Sequence, residues 1–325
     1  MESLEYYIGL ANQAVADIKL PAQPANLYEP ISYGMAQGGK RLRPALLLAS
    51  YDATGGQADK ALKQAAAIEM FHNFTLLHDD VMDKAELRRG KPTVCSKWND
   101  NTAILSGDTM LTLATELLID GLQGEKALRL LRLFNRSAIE IYEGQQLDMD
   151  FEQREDVTIE EYIEMVRLKT SVLLGCACRL GAELADAPEM QCTSLYGFAM
   201  HLGLAFQLQD DLLDVYGDPK VFGKTIGGDI MNNKKTFLLI NALRLAKGED
   251  KEELHYWLNA NAPFAGEKIA AVTAIYNRLH IDELCRKSIA AYSEKAIDCL
   301  RRANLPAEAA EFFEAFDHTL MSRNK

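Results

Sequence analysis

Basic residues are scarce in this chain of 325 residues. Lysine and arginine together number 35 against 47 aspartates and glutamates, which gives a formal net charge of −12 at pH 7. A protein that binds nucleic acid carries a basic footprint, so this balance argues against nucleic acid as a partner. An acidic chain can still bind an anionic substrate, but only where metal ions or local clusters of Lys and Arg reverse the field.

Long apolar runs and paired cysteines are also missing. No run approaches the roughly eighteen consecutive apolar residues that predict a membrane span. The six cysteines form no zinc-type C-x-x-C pair, and the amino terminus has no basic region followed by an apolar stretch, as a secretion signal would have. We therefore expect a cytoplasmic protein with reduced cysteines and without a membrane span.

Alternating strand patterns are hard to find, whereas apolar residues recur at helical spacings of three and four in nearly every long segment. Ala, Leu, Glu, Gln and Lys dominate these segments, and all of them are strong helix formers. The hydrophobic content of 48% is ample for a core, and no break is long enough for a disordered linker. We predict an all-α protein with a single domain over residues 1–325. Its predicted long helices cover residues 61–77, 101–122, 126–147, 158–183, 190–215 and 236–245.

Two identical D-D-x-x-D clusters, Asp79–Asp83 and Asp210–Asp214, each follow an apolar helical run. Residues four apart share a helix face, so the first and last aspartates of each cluster project together. Their mutual repulsion, and their desolvation beside apolar helices, call for a compensating cation. Mg²⁺ is the natural one, because it takes one or two carboxylates and fills its other positions with water and substrate phosphate. A single cluster could equally be a solvated helix end, but the matched pair favours metal sites.

Basic residues are gathered in a few places. Gly38–Pro44 contains three cations directly after a glycine pair that lets backbone approach a ligand, and Arg88–Lys91 follows the first aspartate cluster. Three further lysines, Lys169, Lys224 and Lys234, stand beside or near threonines. Arg offers phosphate a bidentate fork, and Lys offers a mobile point charge. In so acidic a chain these clusters indicate an anionic substrate, although any one of them alone could be a solvated surface.

In their order along the chain, these motifs resemble those of the trans-type, or head-to-tail, prenyl diphosphate synthases. Two departures are Cys95, where many relatives have histidine, and Asn233, where many have glycine. The resemblance implies the isoprenoid synthase fold, a large helical bundle around a central apolar cavity, and a homodimer. The matched motifs are G-G-K-R-L-R-P from Gly38, H-D-D-V-M-D from His78 with R-R-G-K-P-T from Arg88, G-Q-x-x-D from Gly144, Lys169-Thr170, F-Q-x-x-D-D-x-x-D from Phe206, and G-G-D-I from Gly227 with a K-K-T that ends at Thr236.

The resemblance implies a Mg²⁺-dependent condensation of isopentenyl diphosphate with an allylic diphosphate (dimethylallyl, geranyl or farnesyl). About three ions would act as Lewis acids on the leaving diphosphate, so that the allylic C–O bond ionises and the isopentenyl alkene attacks the cation. Asp79 and Asp83 would hold two ions, and Asp210, supported by Asp214, would hold the third. Lys169 and Gln207 complete the set of catalytic residues that the resemblance implies.

The two diphosphates would bind to different sets of residues. The allylic diphosphate would bind to Arg88, Lys169, Thr170, Gln207, Lys224 and Lys234. Isopentenyl diphosphate would bind to Lys40, Arg43, His72 and Arg89. His78 receives no role, because a lone histidine on an apolar helix is more often a core residue. Gln146 and Asp148 would either orient groups of the cavity or make polar contacts in the core.

The length of the product is predicted from the helix that leads into the first cluster. In the family that this sequence resembles, residues one and two turns before that cluster form the floor of the product tunnel. Phe74 lies five positions before Asp79, which is about 7–8 Å along a helix, Phe71 lies one turn further, and Thr75 is small. This pattern predicts geranylgeranyl diphosphate, with farnesyl diphosphate close behind and longer products open. The alternative is that both phenylalanines are ordinary core residues.

Three other functions remain compatible with parts of the sequence. A class I terpene cyclase shares the fold and the first aspartate cluster, but it usually carries a different second metal motif and lacks cations such as Lys40 and Arg43. A regulatory synthase subunit would bind a partner through the same helices, although such subunits tend to lose an aspartate cluster. A plain acidic helical scaffold would leave the paired clusters unexplained.

Overall fold

The computed structural model describes residues 1–217, 226–260 and 265–322. Most of this described chain is helical, and two-residue strands, β1 (Leu87–Arg88) and β2 (Lys91–Pro92), form one antiparallel hairpin. The all-α prediction is therefore confirmed. The helices are α1 (Leu4–Ala16), α2 (Ala25–Ala36), α3 (Leu42–Ala53), α4 (Leu62–Met82), α5 (Val94–Lys97), α6 (Asp100–Ile119), α7 (Gly124–Glu152), α8 (Ile159–Val166), α9 (Val172–Leu184), α10 (Glu189–Tyr216), α11 (Gly228–Met231), α12 (Phe237–Leu245), α13 (Gly248–Asn259), α14 (Ala265–Arg278), α15 (Ile281–Ala303) and α16 (Ala307–Met321).

The chain divides into two compact units, each assembled from separate stretches of sequence. The prediction that residues 1–325 form a single domain stays a prediction. Unit 1 contains Met1–Arg136, Cys176–Tyr196 and Ala303–Phe312, and unit 2 contains Ser137–Gly175, Gly197–Arg302 and Phe313–Lys325.

The centre of unit 1 is α4, which packs along α6 and also against α1 and α3. Its apolar residues cover most of its circumference, which is typical of a helix buried on all sides. Its buried polar side chains are satisfied: Gln64 Nε2 donates to the carbonyl oxygens of Leu118 (3.1 Å) and Asp120 (3.2 Å) at the end of α6. This packing fixes the carboxyl end of α4, where the first aspartate cluster stands. Large side chains that are fully buried in unit 1 are Tyr7, Ile31, Leu46, Leu47, Leu48, Ile68, Met70, Phe71 and Phe134.

Unit 2 has its own apolar core, to which α8, α10, α12 and α14 contribute. Tyr162 of α8, Leu208 of α10 and Phe237 of α12 are among its buried members. The start of α8 is fixed by a capping box, in which Thr158 Oγ1 accepts from the Glu161 N–H (3.2 Å) and Glu161 accepts from the Thr158 N–H (2.9 Å). Such a box satisfies backbone donors that have no partner inside the helix. It therefore sets where α8, and the segment after it, begins.

One described helix, α6, is long and apolar enough to cross a membrane by length and composition. Only 33% of its most apolar window is buried, and Ile104 and Leu105 are 42% and 59% exposed. The core helix of a soluble protein passes the same test, so α6 alone does not indicate a membrane protein.

Candidate active site

The first aspartate cluster stands at the carboxyl end of α4, and its members differ in burial. Asp79 and Asp80 lie in the last turn, and Asp83 is the cap residue, whose N–H donates to the Asp79 carbonyl oxygen (2.8 Å). Asp80 is only 3% exposed and accepts from Arg88 Nε (2.8 Å) and Nη2 (2.7 Å). Burial raises the pKa of Asp80, and the Arg88 guanidinium opposes that rise. Asp80 is thus a partner of Arg88, whereas Asp79 is partly exposed and Asp83 is exposed.

A network around the buried Thr93 holds the hairpin that carries Arg88 and Arg89 against the end of α4. Thr93 Oγ1 donates to the Ala85 carbonyl oxygen (2.7 Å), and the Thr93 N–H donates to that of Glu86 (3.0 Å). Cys95 Sγ lies 3.1 Å from Thr93 Oγ1 and 3.6 Å from the Asp80 carbonyl oxygen. The cysteine that departs from the family pattern therefore touches the backbone of the cluster.

Arg89 packs over the glycine pair that precedes α3. Its guanidinium donates to the Gly38 carbonyl oxygen, and a Cβ built at Gly39 would lie 3.0 Å from Arg89 Nη1. Gly39 also has a φ of +149°, which favours glycine. Gly39 therefore leaves room for the Arg89 guanidinium, and Lys40, which follows it, is exposed.

The other two cations of this motif have different environments. Arg41 is 6% exposed, forms a buried ion pair with Glu69 and donates to the Met35 carbonyl oxygen (3.0 Å). Arg43 has no ion pair among the described residues, and its buried Nε has no hydrogen-bond partner there. A partly buried cation without an ion-pair partner is unfavourable, so an anion that reached Arg43 would be bound tightly. Arg41 thus has a structural role, and Arg43 is a candidate ligand for a diphosphate.

His72 is the neutral neighbour of these cations. Its Nε2 lies 3.3 Å from Arg43 Nη1. Burial, and then the charges of Arg43 and Arg89, hold the pKa of His72 well below its usual value. Because an arginine can only donate, Nε2 accepts and the ring proton is on Nδ1. A neutral His72 therefore orients Arg43 without adding a charge.

The second cluster lies within α10, and its middle aspartate is again engaged by the protein. Asp211 is 4% exposed and accepts from the Tyr162 hydroxyl and from Gln207 Nε2 (3.0 Å). Thr170 Oγ1 in turn donates to Gln207 Oε1 (3.4 Å). Burial, and then the charge of Asp229, raise the pKa of Asp211 to about 7. Asp210 is partly exposed, whereas Asp214 is buried at 9% exposure and accepts from a backbone N–H, so the second cluster differs from the first.

Asp229 also belongs to this site, although no role was predicted for it. Its N–H donates to Asp214 Oδ2 (3.0 Å), and its Oδ1 lies 3.9 Å from Lys234 Nζ. The feature of the sequence that could have pointed to Asp229 is its place directly after the glycine pair Gly227-Gly228. Lys224, the other lysine predicted nearby, lies outside the described residues.

Lys169 and Thr170 stand in a π-helical turn, Arg167–Ser171, between α8 and α9. Such turns recur at functional sites, because they redirect side chains that an α-helix would not place together. Two glycines make room for the turn: a Cβ at Gly144 would lie 2.4 Å from the Lys169 nitrogen, and one at Gly203 would lie 2.6 Å from Ser171 Oγ. Lys169 Nζ is 2.5 Å from Asp148 Oδ2, and the exposed Gln146 instead donates to Asp150 Oδ1 (2.8 Å).

Gly144→Ala is expected to destabilise the protein by about 2–3 kcal/mol, because its Cβ would collide with the backbone of the π-helical turn. Gly9→Ala is the matched control, since Gly9 is an exposed helical glycine with nothing within 4 Å of a built Cβ. That control should be neutral or gain about 0.5–1 kcal/mol. Chemical denaturation measures both free energies of unfolding, and equal stabilities for the two variants would contradict the role given to Gly144.

The phenylalanines predicted to form the tunnel floor belong to an aromatic cluster in unit 1. Phe71 and Phe74 are 0% and 5% exposed, and their ring centroids are 5.5 Å apart. Phe134 of α7, which the sequence did not single out, packs edge-on against Phe71 at 5.0 Å. The hydroxyl of Thr75 donates a hydrogen bond to the His72 carbonyl oxygen (2.8 Å). His78, which received no role, has Nε2 3.1 Å from the Ile104 carbonyl oxygen and helps to join α4 to α6.

The sequence-predicted residues thus fall into two groups, one in each unit. In unit 1, Arg43, His72 and Arg89 form one cationic group, and Arg88 joins the first cluster. In unit 2, Thr170 and Gln207 join Asp211, and Lys234 joins Asp214 through Asp229. The residues that lie in unit 1 are Lys40, Arg43, Phe71, His72, Phe74, Thr75, Asp79, Asp83, Arg88 and Arg89, and the described ones in unit 2 are Lys169, Thr170, Gln207, Asp210, Asp214 and Lys234.

The carboxylates of the two clusters fit magnesium. In the parts of the chain that the structure describes, no group of three or more His, Cys, Asp or Glu side chains could hold a metal by itself. Mg²⁺ uses one or two carboxylates and takes its remaining ligands from water and phosphate, so the paired aspartates of a cluster suffice for it. Cationic side chains lie in the same unit as each aspartate cluster, an arrangement that suits an all-α protein that handles diphosphate esters.

Comparison with known proteins gives the family. The profile of the polyprenyl synthetase family matches residues 24–278. The geranylgeranyl diphosphate synthase of Saccharolobus solfataricus is 41% identical over 280 residues, which are 84% of this chain and 83% of that protein. The geranylfarnesyl diphosphate synthase of Natronomonas pharaonis is 39% identical over 251 residues, 72% of this chain and 73% of that protein. A solved structure of a geranylgeranyl pyrophosphate synthase, 40% identical, covers 100% of both chains with a TM-score of 0.94.

This chain belongs to the polyprenyl synthetase family. It is a prenyltransferase with the isoprenoid synthase fold, and the resemblance inferred from its motifs is confirmed. The roles assigned to individual site residues stay predictions.

Proposed function

We propose that this protein is a Mg²⁺-dependent geranylgeranyl diphosphate synthase that adds isopentenyl diphosphate to dimethylallyl, geranyl or farnesyl diphosphate. The observation that carries the proposal is Arg43, a partly buried cation that forms no ion pair among the described residues and has an unpartnered Nε. It gives the non-ionising substrate a diphosphate site in unit 1. A terpene cyclase, which uses one diphosphate, has no need of such a site.

In unit 1, Arg43 and Arg89 would bind isopentenyl diphosphate and hold its alkene in place. His72 would accept from Arg43 and leave the guanidinium free to turn its remaining N–H groups to phosphate oxygens. Arg89, fixed over Gly39, would supply a second cation. The substrate charge would offset the desolvation of both guanidinium groups.

The allylic diphosphate would be held by Lys169, Thr170, Gln207 and Lys234, with Arg88 oriented by Asp80. Asp79, Asp83, Asp210 and Asp214 would hold Mg²⁺, which supplies Lewis-acid stabilisation of the departing diphosphate when bound. The allylic C–O bond breaks, the alkene of isopentenyl diphosphate forms the new C–C bond, and the released diphosphate takes the proton. Apolar helices exclude water from the cation.

Product length would be limited by the aromatic cluster of Phe74, Phe71 and Phe134 below the first aspartate cluster. The named relatives include both a geranylgeranyl and a geranylfarnesyl diphosphate synthase, so family membership alone leaves the length open. Three packed rings favour the shorter of these two products. We also propose a homodimer, supported by the exposed Ile104 and Leu105 on α6, and the cytoplasmic location stays a prediction.

An assay of diphosphate release tests the reaction class. The protein is incubated in Mg²⁺ with farnesyl diphosphate alone, with isopentenyl diphosphate alone, and with both. Release only with both substrates supports the proposal. Release with farnesyl diphosphate alone would identify a cyclase, and no release in any mixture would remove both enzymatic functions.

Phe74→Ala is expected to lengthen the product, because it removes the first ring below the cluster and leaves a cavity in its place. The lengths of the products made from labelled isopentenyl diphosphate measure this. Phe151→Ala is the matched control, since Phe151 is a buried aromatic of the unit 2 core at 2% exposure. Both variants should lose stability, but only Phe74→Ala should make longer products. An unchanged product would show that Phe74 is an ordinary core residue.

A further inference from the structure

Lys268 of α14 is a buried lysine without an acidic partner. It is 3% exposed, and within the described ranges no carboxylate lies at ion-pair distance from its ammonium. Its Nζ donates to Asn233 Oδ1 (2.7 Å) and to the Met231 carbonyl oxygen (3.4 Å). A buried ammonium with no counter-charge costs folding stability, since its charge has lost most of its hydration.

Both acceptors of Lys268 belong to the turn that ends α11. Met231 is the last residue of that helix, and Asn233 adopts a φ of +51°, which is the left-handed conformation. The Asn233 amide also donates from Nδ2 to the Leu258 carbonyl oxygen (2.8 Å) in α13. Asn233, at which this sequence departs from the glycine of many relatives, therefore connects the turn to α13 and to α14.

The other end of α11 is tied to the second aspartate cluster. The Asp229 N–H donates to Asp214 Oδ2 (3.0 Å), and the Lys234 N–H donates to the Asp229 carbonyl oxygen (2.9 Å). Ile269, next to Lys268, packs on Gly227, where a Cβ would lie 2.6 Å from its Cδ1. A single turn of helix is not stable by itself. The position of Asp229 and Lys234 thus depends on Asp214 on one side and on α14 on the other.

We propose that Lys268 is a positioning residue for the allylic-diphosphate half of the active site and acts through Asn233 on Asp229 and Lys234. This inference rests on the proposed function, in which Asp214 and Lys234 serve metal and allylic diphosphate. Lysine suits the task because its ammonium can donate three hydrogen bonds, and because a cation is favourable at the carboxyl end of a helix. The stability that its burial costs is consistent with a functional reason for its presence.

The experiment compares the wild type with Lys268→Met, Asn233→Gly and the double variant. Glycine accepts the φ at position 233 without strain, and the double variant removes the Lys268 donor and its Asn233 acceptor together, while the carbonyl oxygens of Leu258 and Met231 lose a donor. Thermal unfolding is therefore measured for every variant beside the Kd. Lys287→Met, at an exposed lysine of α15, is the control for loss of a positive charge. The probe is farnesyl thiolodiphosphate, an allylic analogue that resists ionisation, and calorimetry in Mg²⁺ gives its Kd.

Lys268→Met and the double variant are expected to raise this Kd about tenfold, while the KM for isopentenyl diphosphate stays within about twofold of the wild type. Lys268→Met should raise the Kd by a smaller factor in the Asn233→Gly background than in the wild type, because the two residues act as a pair. A wild-type Kd for Lys268→Met would overturn the proposal. So would a double variant with both wild-type stability and wild-type Kd, or an equal rise in the KM for isopentenyl diphosphate. If the wild type itself does not bind the probe, the proposed function fails instead.

Discussion

Asp79→Asn is expected to lower kcat/KM about a thousandfold, equivalent to about 4 kcal/mol of transition-state stabilisation. Asp79 is a partly exposed aspartate at the end of a rigidly packed α4, and its neighbour Asp80 is already bound to Arg88. The asparagine keeps the shape of the side chain but loses the negative charge that Mg²⁺ requires. Because Asp79 and Asp83 repel each other, folding stability should stay the same or rise slightly.

Initial rates over a range of Mg²⁺ concentrations measure this effect, with thermal unfolding as the check on folding. Asp59→Asn is the matched control, since the Asp59 side chain is 56% exposed and pairs with the exposed Lys60 next to it. Its activity should equal that of the wild type. An Asp79→Asn protein with activity within tenfold of the wild type would contradict a metal role for the first cluster.

Arg43→Gln is expected to raise the KM for isopentenyl diphosphate about a hundredfold and to leave the KM for the allylic substrate within about twofold. The reason is that Arg43 forms no ion pair among the described residues, so its charge is available to the substrate. Burial, the largest cause, and the charge of Arg89 lower the pKa of Arg43, and the charge of Glu69 opposes them. Because removal of the guanidinium ends its desolvation together with its attraction to Glu69, stability should stay close to that of the wild type.

Arg41→Gln provides the contrast, because the same substitution two residues away removes the partner of the buried Glu69. Loss of one member of a buried ion pair typically costs about 3–5 kcal/mol, so this variant should unfold far more easily. Steady-state kinetics and chemical denaturation on both variants separate the two roles. If Arg43→Gln also raised the allylic KM a hundredfold, the assignment of this cationic group to isopentenyl diphosphate would be wrong.

The helices themselves follow from the periodicity of the sequence, but their interruptions do not. Residues 158–183 are predicted as one helix, and the structure divides them at the π-helical turn Arg167–Ser171. The turn exists because Gly144 and Gly203, distant in sequence, leave room for it. Local spacing carries no information about that contact. The first cluster shows a related limit, since α4 continues through Asp79 and Asp80 to Met82 rather than ending at residue 77.

Motifs locate the site without telling its members apart. The motif G-G-K-R-L-R-P does not distinguish Arg41 from Arg43. The structure does, because it places Arg41 beside Glu69 as an ion pair. The predicted metal ligands leave out Asp80 and Asp211, and the structure gives these two protein partners, Arg88 for one and Tyr162 for the other. Contacts between distant segments decide each of these cases.

The central claim is that this prenyltransferase stops at geranylgeranyl diphosphate. The most direct test incubates the wild-type protein with labelled isopentenyl diphosphate, Mg²⁺ and, in separate reactions, dimethylallyl, geranyl or farnesyl diphosphate, and identifies the dephosphorylated products by mass. We expect geranylgeraniol as the main product from all three starters. Farnesol as the end product, geranylfarnesol or longer alcohols, or no incorporation of label would contradict it.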